Sequence, residues 1–456
     1  MTTRRRAPLF AAGAACGVAI LLGAAAADGQ TAPGADAPAV QSGAPAPAPA
    51  EGTELFDVTD LIRKLRHREL TPEQRAAALD PSKRMYAFAP VIGYKPSSGV
   101  LIGVAGNIAF FRGDPQTTRI SSTVASLTFS SLKQTSLSAK FALFGRDDRW
   151  ALDGDNRAQW TSQNTYGLGT TTELADQVNM KFDYFRLYNT AYYKVYGRLL
   201  AGVGFHYSAH TSVEPGKDAE AGWSESPYVT YSNTHGFPLD SQTSAGTSVN
   251  LRLDTRDNAI NPDRGWLGSV SYRPFFKGFL GGASTWQELD LDARTYRTLD
   301  AGRRHKLAFW FWGDLVTGGV APYMDLPAIG MDKYGRSGRG YAEGRFRGER
   351  LLYGEIEYRW TITGNGLVGM VAFVNTTTLS NSQSGERLFD NFAPGAGAGL
   401  RLLLNKRSKT NLCFDVGAGK QGSRGLDPNV WFGNVKPIAS ERVGRETVTY
   451  VSNIYK

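Results

Sequence analysis

From about residue 86 onward, apolar and polar side chains alternate along segments of roughly ten residues, the length a tilted strand needs to cross a bilayer. Residues two apart on an extended strand share a face. Between 136 and 143, Leu137, Ala139, Phe141 and Leu143 fall on one face, and Ser136, Ser138 and Lys140 on the other. Between Trp150 and Trp160 the polar face carries Asp153, Asp155, Arg157 and Gln159. Val249, Leu251 and Leu253 oppose Asn250, Arg252 and Asp254, while Leu289 and Leu291 oppose Glu288, Asp290, Asp292 and Arg294. Rows of both charges do not suit the dry core of a sandwich. They suit a hydrated lumen, with the apolar rows turned to lipid. Trp150, Trp160, Trp266, Trp310, Trp312 and Trp360 stand in or at the ends of these segments, where interfacial girdles are expected.

About 16 such segments can be counted, an even number as bacterial single-chain barrels require, with the last near 428–437. The long connections, near 161–180, 209–244, 314–349 and 377–393, all follow odd-numbered segments, and the others are shorter. Long loops are extracellular and short turns periplasmic in such proteins. A sheet in hydrocarbon must also close, because an open edge strands backbone donors and acceptors. The expected fold is all-β: a closed antiparallel transmembrane β-barrel of about 16 strands, preceded by a short helical periplasmic segment. Its location is the cell outer membrane, with both termini periplasmic.

The barrel is expected to occupy residues 86–456, including a C-terminal tail. Residues 1–27 read as a signal peptide: Arg4, Arg5 and Arg6 precede an apolar run from Leu9 to Leu22 and small residues at Ala25 and Ala27. That run is about 14 residues, short of the roughly 20 of a spanning helix. Residues 28–50 are nearly all Ala, Pro and Gly and form a disordered linker. In 51–85, Val58, Leu61, Ile62 and Leu65 have helical spacing, and Thr71-Pro72-Glu73-Gln74 resembles a capping box, so two short helices are expected.

The formal charge of +9 would permit nucleic-acid binding in the cytosol, but export excludes that partner. Basic residues near the membrane surface meet anionic headgroups instead, so lipid and lipopolysaccharide are the expected surroundings. Removing the signal leaves Cys413 alone, so no intrachain disulfide is expected. No Gly-x-Ser-x-Gly elbow occurs, and the five histidines, of which His206 and His210 come closest to one another, lack metal-ligand spacing and read as surface residues. Gly395, Gly397 and Gly399 open a strand, not a phosphate loop, and read as glycines that ease barrel curvature. No cofactor, metal or enzymatic activity is expected.

Several motifs resemble the BamA/TamA-type barrels of the bacterial surface antigen family. Pro90, Gly93, Tyr94, Pro96, Gly99 and Gly103 resemble the opening of short members. Asp254-Thr255-Arg256-Asp257-Asn258, with Asn261-Pro262 and Arg264-Gly265-Trp266, is similar to their turn between strands eight and nine. The most specific is Arg339-Gly340-Tyr341, with Gly344, Phe346 and Gly348 behind it, in the long loop after the eleventh strand. The resemblance implies that this loop folds into the lumen and that Arg339 pairs with acidic wall residues, Glu357 first and Glu355 beside it, with Arg359 on the same face. A guanidinium held there needs carboxylates to offset its desolvation. Where the family places Asp, Phe373-Val374-Asn375 supplies an amide, and Asp415, facing inward by parity, is the expected compensation. Gly395, Gly397, Gly399 and Arg401 resemble the family's fourteenth strand.

The resemblance covers roughly 86–437, the barrel half of the family alone, since the 51–85 segment is too short for a POTRA module. It implies assistance to the insertion or transport of protein or lipid at the outer membrane, with an unfolded outer-membrane protein or a lipid as substrate. A passive or gated pore for small solutes, and a structural or surface-binding protein acting through its long loops, are the alternatives left open.

Overall fold

The computed structural model describes residues 55–67, 71, 80, 83–95, 99–216, 219–420 and 426–427. Its sheet begins with β1 (Met85–Lys95), β2 (Gly99–Phe110), β3 (Ser121–Ser130) and β4 (Thr135–Phe144). The middle wall is β5 (Trp150–Thr165), β6 (Val178–Tyr196), β7 (Leu199–Pro215), β8 (Ser241–Asp254), β9 (Gly265–Phe275), β10 (Trp286–Thr298) and β11 (His305–Gly319). Then come β12 (Arg350–Thr361), β13 (Val368–Ser380), β14 (Ala393–Asn405), β15 (Thr410–Lys420) and the two-residue β16 (Leu426–Asp427). Each strand pairs with its neighbours in sequence, antiparallel throughout, in one continuous sheet.

This is a nearly closed barrel of fifteen long strands and one short one. Among the described residues, β1 has a ladder partner only in β2. Where the two ends of the sheet meet, Asn405 Nδ2 reaches the carbonyl of Tyr86 at 3.4 Å. The segment expected near 428–437, the tail beyond it, the signal and linker, and the helix expected from Pro72 lie outside the described residues.

The period-two reading fixes the faces. Val249, Leu251 and Leu253 are exposed outward, and Ser248, Asn250 and Asp254 are buried inward. Strands β5 to β8 run 14 to 19 residues, beyond the ~10 that cross a bilayer, so they project at the end carrying the long connections. That projection is filled from within. The β7–β8 connection holds α2 (Pro227–His235), capped by Ser226 and ended by Gly236 at φ 71°, and Tyr228 and Tyr231 pack with Phe275, Trp286 and Tyr323 in an aromatic core.

Two expectations are corrected. Trp310 and Trp312 are not in the girdle: both point into the lumen, where their indole N–H groups donate to Asp292 and Asp290 at 3.1 and 3.2 Å. Four consecutive aromatics, Phe309 to Trp312, gave neither face a distinguishing mark. Trp150, Trp160, Trp266 and Trp360 do face outward. His206 and His210 are likewise not surface residues, because their parity on β7 turns both inward.

The first described helix, α1 (Val58–Leu65), opens with a reciprocal box between Asp57 and Asp60. It lies at the short-turn end, on the connections after β12 and β14. Phe56 N–H donates to Asn365 O at 2.9 Å, and Lys406 N–H donates to Asp57 Oδ2 at 3.0 Å.

Candidate functional site: the loop held inside the lumen

The connection between β11 and β12, residues 320–349, turns back into the barrel instead of standing above it. Gly340, at φ 102°, lies hard against the wall: a Cβ there would sit 2.7 Å from the carbonyl of Ala418 on β15, so only glycine fits both the backbone and the space. The opposing wall is cut back to match. A Cβ on Gly397 would strike the Phe373 ring, and one on Gly419 the Tyr341 ring, each at 2.3 Å. Of the glycines read as relief for curvature, Gly395 lies against the loop, where a Cβ would sit 2.9 Å from the carbonyl of Arg339, while Gly397 makes room for the Phe373 ring.

Arg339 follows from that placement. Its guanidinium makes two parallel bonds to Glu355, Nε to Oε2 at 2.8 Å and Nη2 to Oε1 at 2.5 Å. Nη1 reaches Glu357 Oε2 at 2.7 Å and Asp415 Oδ2 at 3.4 Å. The plane lies over the Phe373 ring, 3.7 Å from its centre, a cation–π contact. Arg339 keeps only 7% of its surface exposed, and in such a site a guanidinium persists because paired carboxylates offset its desolvation.

Four more groups complete the site, of which Arg359 is the one expected on this face. Arg359 Nε bonds Glu357 Oε1 at 2.6 Å, and Arg401 Nη1 bonds Asp415 Oδ1 at 2.5 Å. With Arg339, these set three guanidinium groups against three carboxylates. Tyr353 donates to Glu355 at 2.7 Å, and Phe373 supplies the ring. Parity alone would have placed Tyr353, Phe373 and Arg401 inward, but which of them meet depends on strand register.

Asn375 is drawn in differently from the acid it replaces. Its amide nitrogen donates to the main-chain carbonyl of Arg339 at 2.9 Å and does not engage the guanidinium. Tyr341 hydroxyl donates to Pro394 O at 2.5 Å. Arg339, Gly340, Tyr341, Glu355, Glu357, Asn375 and Asp415 therefore gather in one place.

The same loop is also pinned to the opposite wall. Lys333 pairs with Asp153 on β5 and donates to Phe141 O on β4 at 3.1 Å. Burial pulls the Lys333 pKa down, but Asp153 beside it prevails and raises it, holding the ammonium charged. Arg157 Nη2 donates to the carbonyl of Lys333 at 3.1 Å. The loop thus spans the lumen from β12–β15 to β4–β5, leaving adjoining cavities of about 180 and 110 Å³ that share Arg186, Tyr188 and Glu288 in their walls.

Ser208 and Ser244 hydroxyls both donate to Asp325, at 2.8 and 2.6 Å, while His210 Nδ1 stands 3.9 Å from that carboxylate. Ser248 Oγ lies 2.8 Å from His206 Nε2 and accepts from Asn250 Nδ2 at 2.7 Å. Among the described residues, no group of three or more His, Cys, Asp or Glu side chains is placed to hold a metal ion. At the short-turn end, Asp263 is the main junction: its carboxylate pairs with Lys306 and, at 2.7 Å, with Lys409. Burial works against the charge, but the two ammonium groups prevail and hold its pKa down at about 2.

An antiparallel sheet with a lipid face, a charged lumen and a loop locked across it defines a transmembrane β-barrel whose channel is occupied by its own chain. The Omp85 superfamily domain matches residues 111–408, and the protein belongs to that family of outer-membrane barrels. Among solved structures, the chain is similar to BamA from Haemophilus ducreyi lacking POTRA domains 1–3, at 13% identity and a TM-score of 0.49, over 76% of this chain and 69% of that one. It is also similar to CdiB from Acinetobacter baumannii, at 13% identity and a TM-score of 0.47, spanning 76% of this chain and 58% of that one. CdiB from Escherichia coli matches at 13% identity and a TM-score of 0.48, over 75% of this chain and 60% of that one. No curated protein matches the chain.

Proposed function

We propose that this barrel assists the insertion or transport of protein or lipid at the outer membrane, working at the seam where β1 meets the end of the sheet, with both termini on the periplasmic side. The observation that supports this reading is the edge of β1. Among the described residues its ladder is formed with β2 alone, and Pro90, which cannot donate to a ladder, stands at its middle. A backbone group left without a partner at a seam in hydrocarbon costs several kcal/mol. The same edge is a template for an incoming strand, which would meet that cost by pairing. The substrate that fits is an unfolded outer-membrane protein presenting a strand, or a lipid drawn to the gap.

A lumen crossed by the Arg339 and Lys333 contacts is poorly suited to steady conduction, so the passive pore is the weaker reading. The test uses the purified full chain in liposomes, with an unfolded β-barrel protein added outside and its folding followed by heat-dependent gel mobility. Faster insertion than into empty liposomes is expected. No acceleration together with stable ion conductance would replace this reading with a pore.

A further inference from the structure

A helix that packs on a protein core turns its apolar stripe inward and its charges out. In α1 the stripe is only half covered. Val58, Leu61, Ile62 and Leu65 form one stripe by their spacing; Val58 and Leu61 are partly buried, whereas Ile62 and Leu65 are 44% and 70% exposed. The contacts with the barrel come from the other face: Asp60 pairs with Lys406 Nζ at 2.9 Å, and Asp57 accepts the Lys406 N–H. Leu55, 41% exposed, rests over Gly366 in the β12–β13 turn. The helix is thus tethered by its acidic side while Ile62 and Leu65 of its hydrophobic side stay uncovered.

What lies at that level is fixed by the wall it hangs from. Trp360, one turn short of Asn365, faces outward at the end of β12, as an interfacial aromatic does. Met370 on β13, Leu400 on β14 and Val416 on β15 carry the lipid-facing surface down to the same turns. The exposed stripe of α1 continues that surface at the headgroup layer. Its flank is cationic: Lys64 and Arg66 are exposed beside it, and Arg63 is partly exposed. Apolar and basic side chains together on a short amphipathic helix match a leaflet bearing anionic phospholipid.

We propose that α1 is an interfacial helix that docks its Ile62–Leu65 face on anionic phospholipid at the short-turn side of the barrel, beside the seam. The link to the seam is covalent. The chain after α1 leads into β1, and Arg407, next to the residue that tethers the helix, donates to the carbonyls of Asp80 and Lys83. Lipid bound on α1 would therefore hold the two ends of the sheet at a common depth.

The experiment uses the full chain with Cys16→Ser and Cys413→Ala, carrying Ile62→Cys, Leu65→Cys or Thr59→Cys labelled with an environment-sensitive fluorophore. Each is folded into phosphatidylcholine vesicles with and without phosphatidylglycerol, after heat-dependent gel mobility has shown a folded barrel. Labels at 62 and 65 are expected to shift to the blue and to be quenched by lipid-borne quenchers, more strongly with phosphatidylglycerol and less at high salt. The label at 59 is expected to stay in water. Quenching at 62 and 65 that ignores anionic lipid removes the headgroup specificity, and a blue shift without quenching assigns the face to protein. Either outcome, or labels that remain aqueous throughout, overturns the proposal.

Discussion

The inner surface of β12–β15 and that of β1–β3 are held together by different means. On β12–β15, Glu355, Glu357, Arg359, Arg401 and Asp415 project inward and tie three strands to the loop through Arg339. On β1–β3 the inward row is Ala87, Ala89, Val91, Gly103, Ala105, Asn107, Val124, Ser126 and Thr128, with no ionisable side chain. Contacts there amount to small side chains and the ladder itself. One wall is cross-linked by charge, whereas the other depends on backbone pairing. If the sheet opens, it opens beside β1, because separating backbone pairs there disturbs no buried ion pair.

The most severe way to break this contrast is Arg339→Ala. It leaves Glu355 and Glu357 buried with a surplus of negative charge, which costs about 3–5 kcal/mol when one partner of a buried pair is lost. The expected outcome is a folded barrel with a markedly lower melting temperature in detergent, and a loop that protease cuts near residue 339. Arg339→Lys should recover part of the loss, since an ammonium cannot make the two parallel bonds to Glu355. An unchanged melting temperature would mean that the charged wall contributes no more than the small-residue one.

Next in size is acid. Asp263 joins the turn after β8 to Lys306 on β11 and to Lys409 beyond β14, bracing the charged side from below. Its folded pKa of about 2 lies under the ~3.9 of an unfolded aspartate. The stabilisation is therefore complete above about pH 4 and disappears as pH falls through about 2, on the order of 2 kcal/mol. Melting temperatures measured across that window should fall for the parent chain. Asp263→Asn should start lower and lose less over the same range, and a parallel fall in both would refute the assignment.

Most of the architecture was legible because a barrel in lipid has no choice about parity. A residue shift of one would turn Asn250, Arg252 and Asp254 into hydrocarbon, so the alternation alone located the strands and their faces. Legibility failed where lipid stops. Beyond Trp160, Thr161 to Thr165 continue β5 with polar residues on both faces, so a strand there looks like a loop in the sequence. The lock was half visible. Arg339, Glu355 and Glu357 stand out by residue type, but Arg401 joins them only through the pairing of β14 with β15, which sets Gly399 opposite Asp415. His206 and His210 were misplaced because an imidazole on an inward row carries no charge mark to separate lumen from surface.

A smaller effect probes the exchanged acid. Asn375→Ala removes one bond to the Arg339 carbonyl and leaves the three carboxylates in place, so about 1 kcal/mol is expected. Loss comparable to Arg339→Ala would show that the amide, not the ion pairs, positions the loop. Protease sensitivity of the loop should follow the melting temperature in the same proportion.

The smallest change tests the other wall. Ser126 and Ser138 hydroxyls meet at 2.8 Å across β3 and β4, one of few side-chain links on that surface. Ser126→Ala should cost about 0.5–1 kcal/mol at most, since both groups are partly buried and the ladder between the strands is intact. Melting temperature and loop proteolysis should stay close to the parent. A loss as large as that of Arg339→Ala would mean that polar contacts near β1 are as binding as the charged network, and the seam would then lack the weak flank that its opening requires.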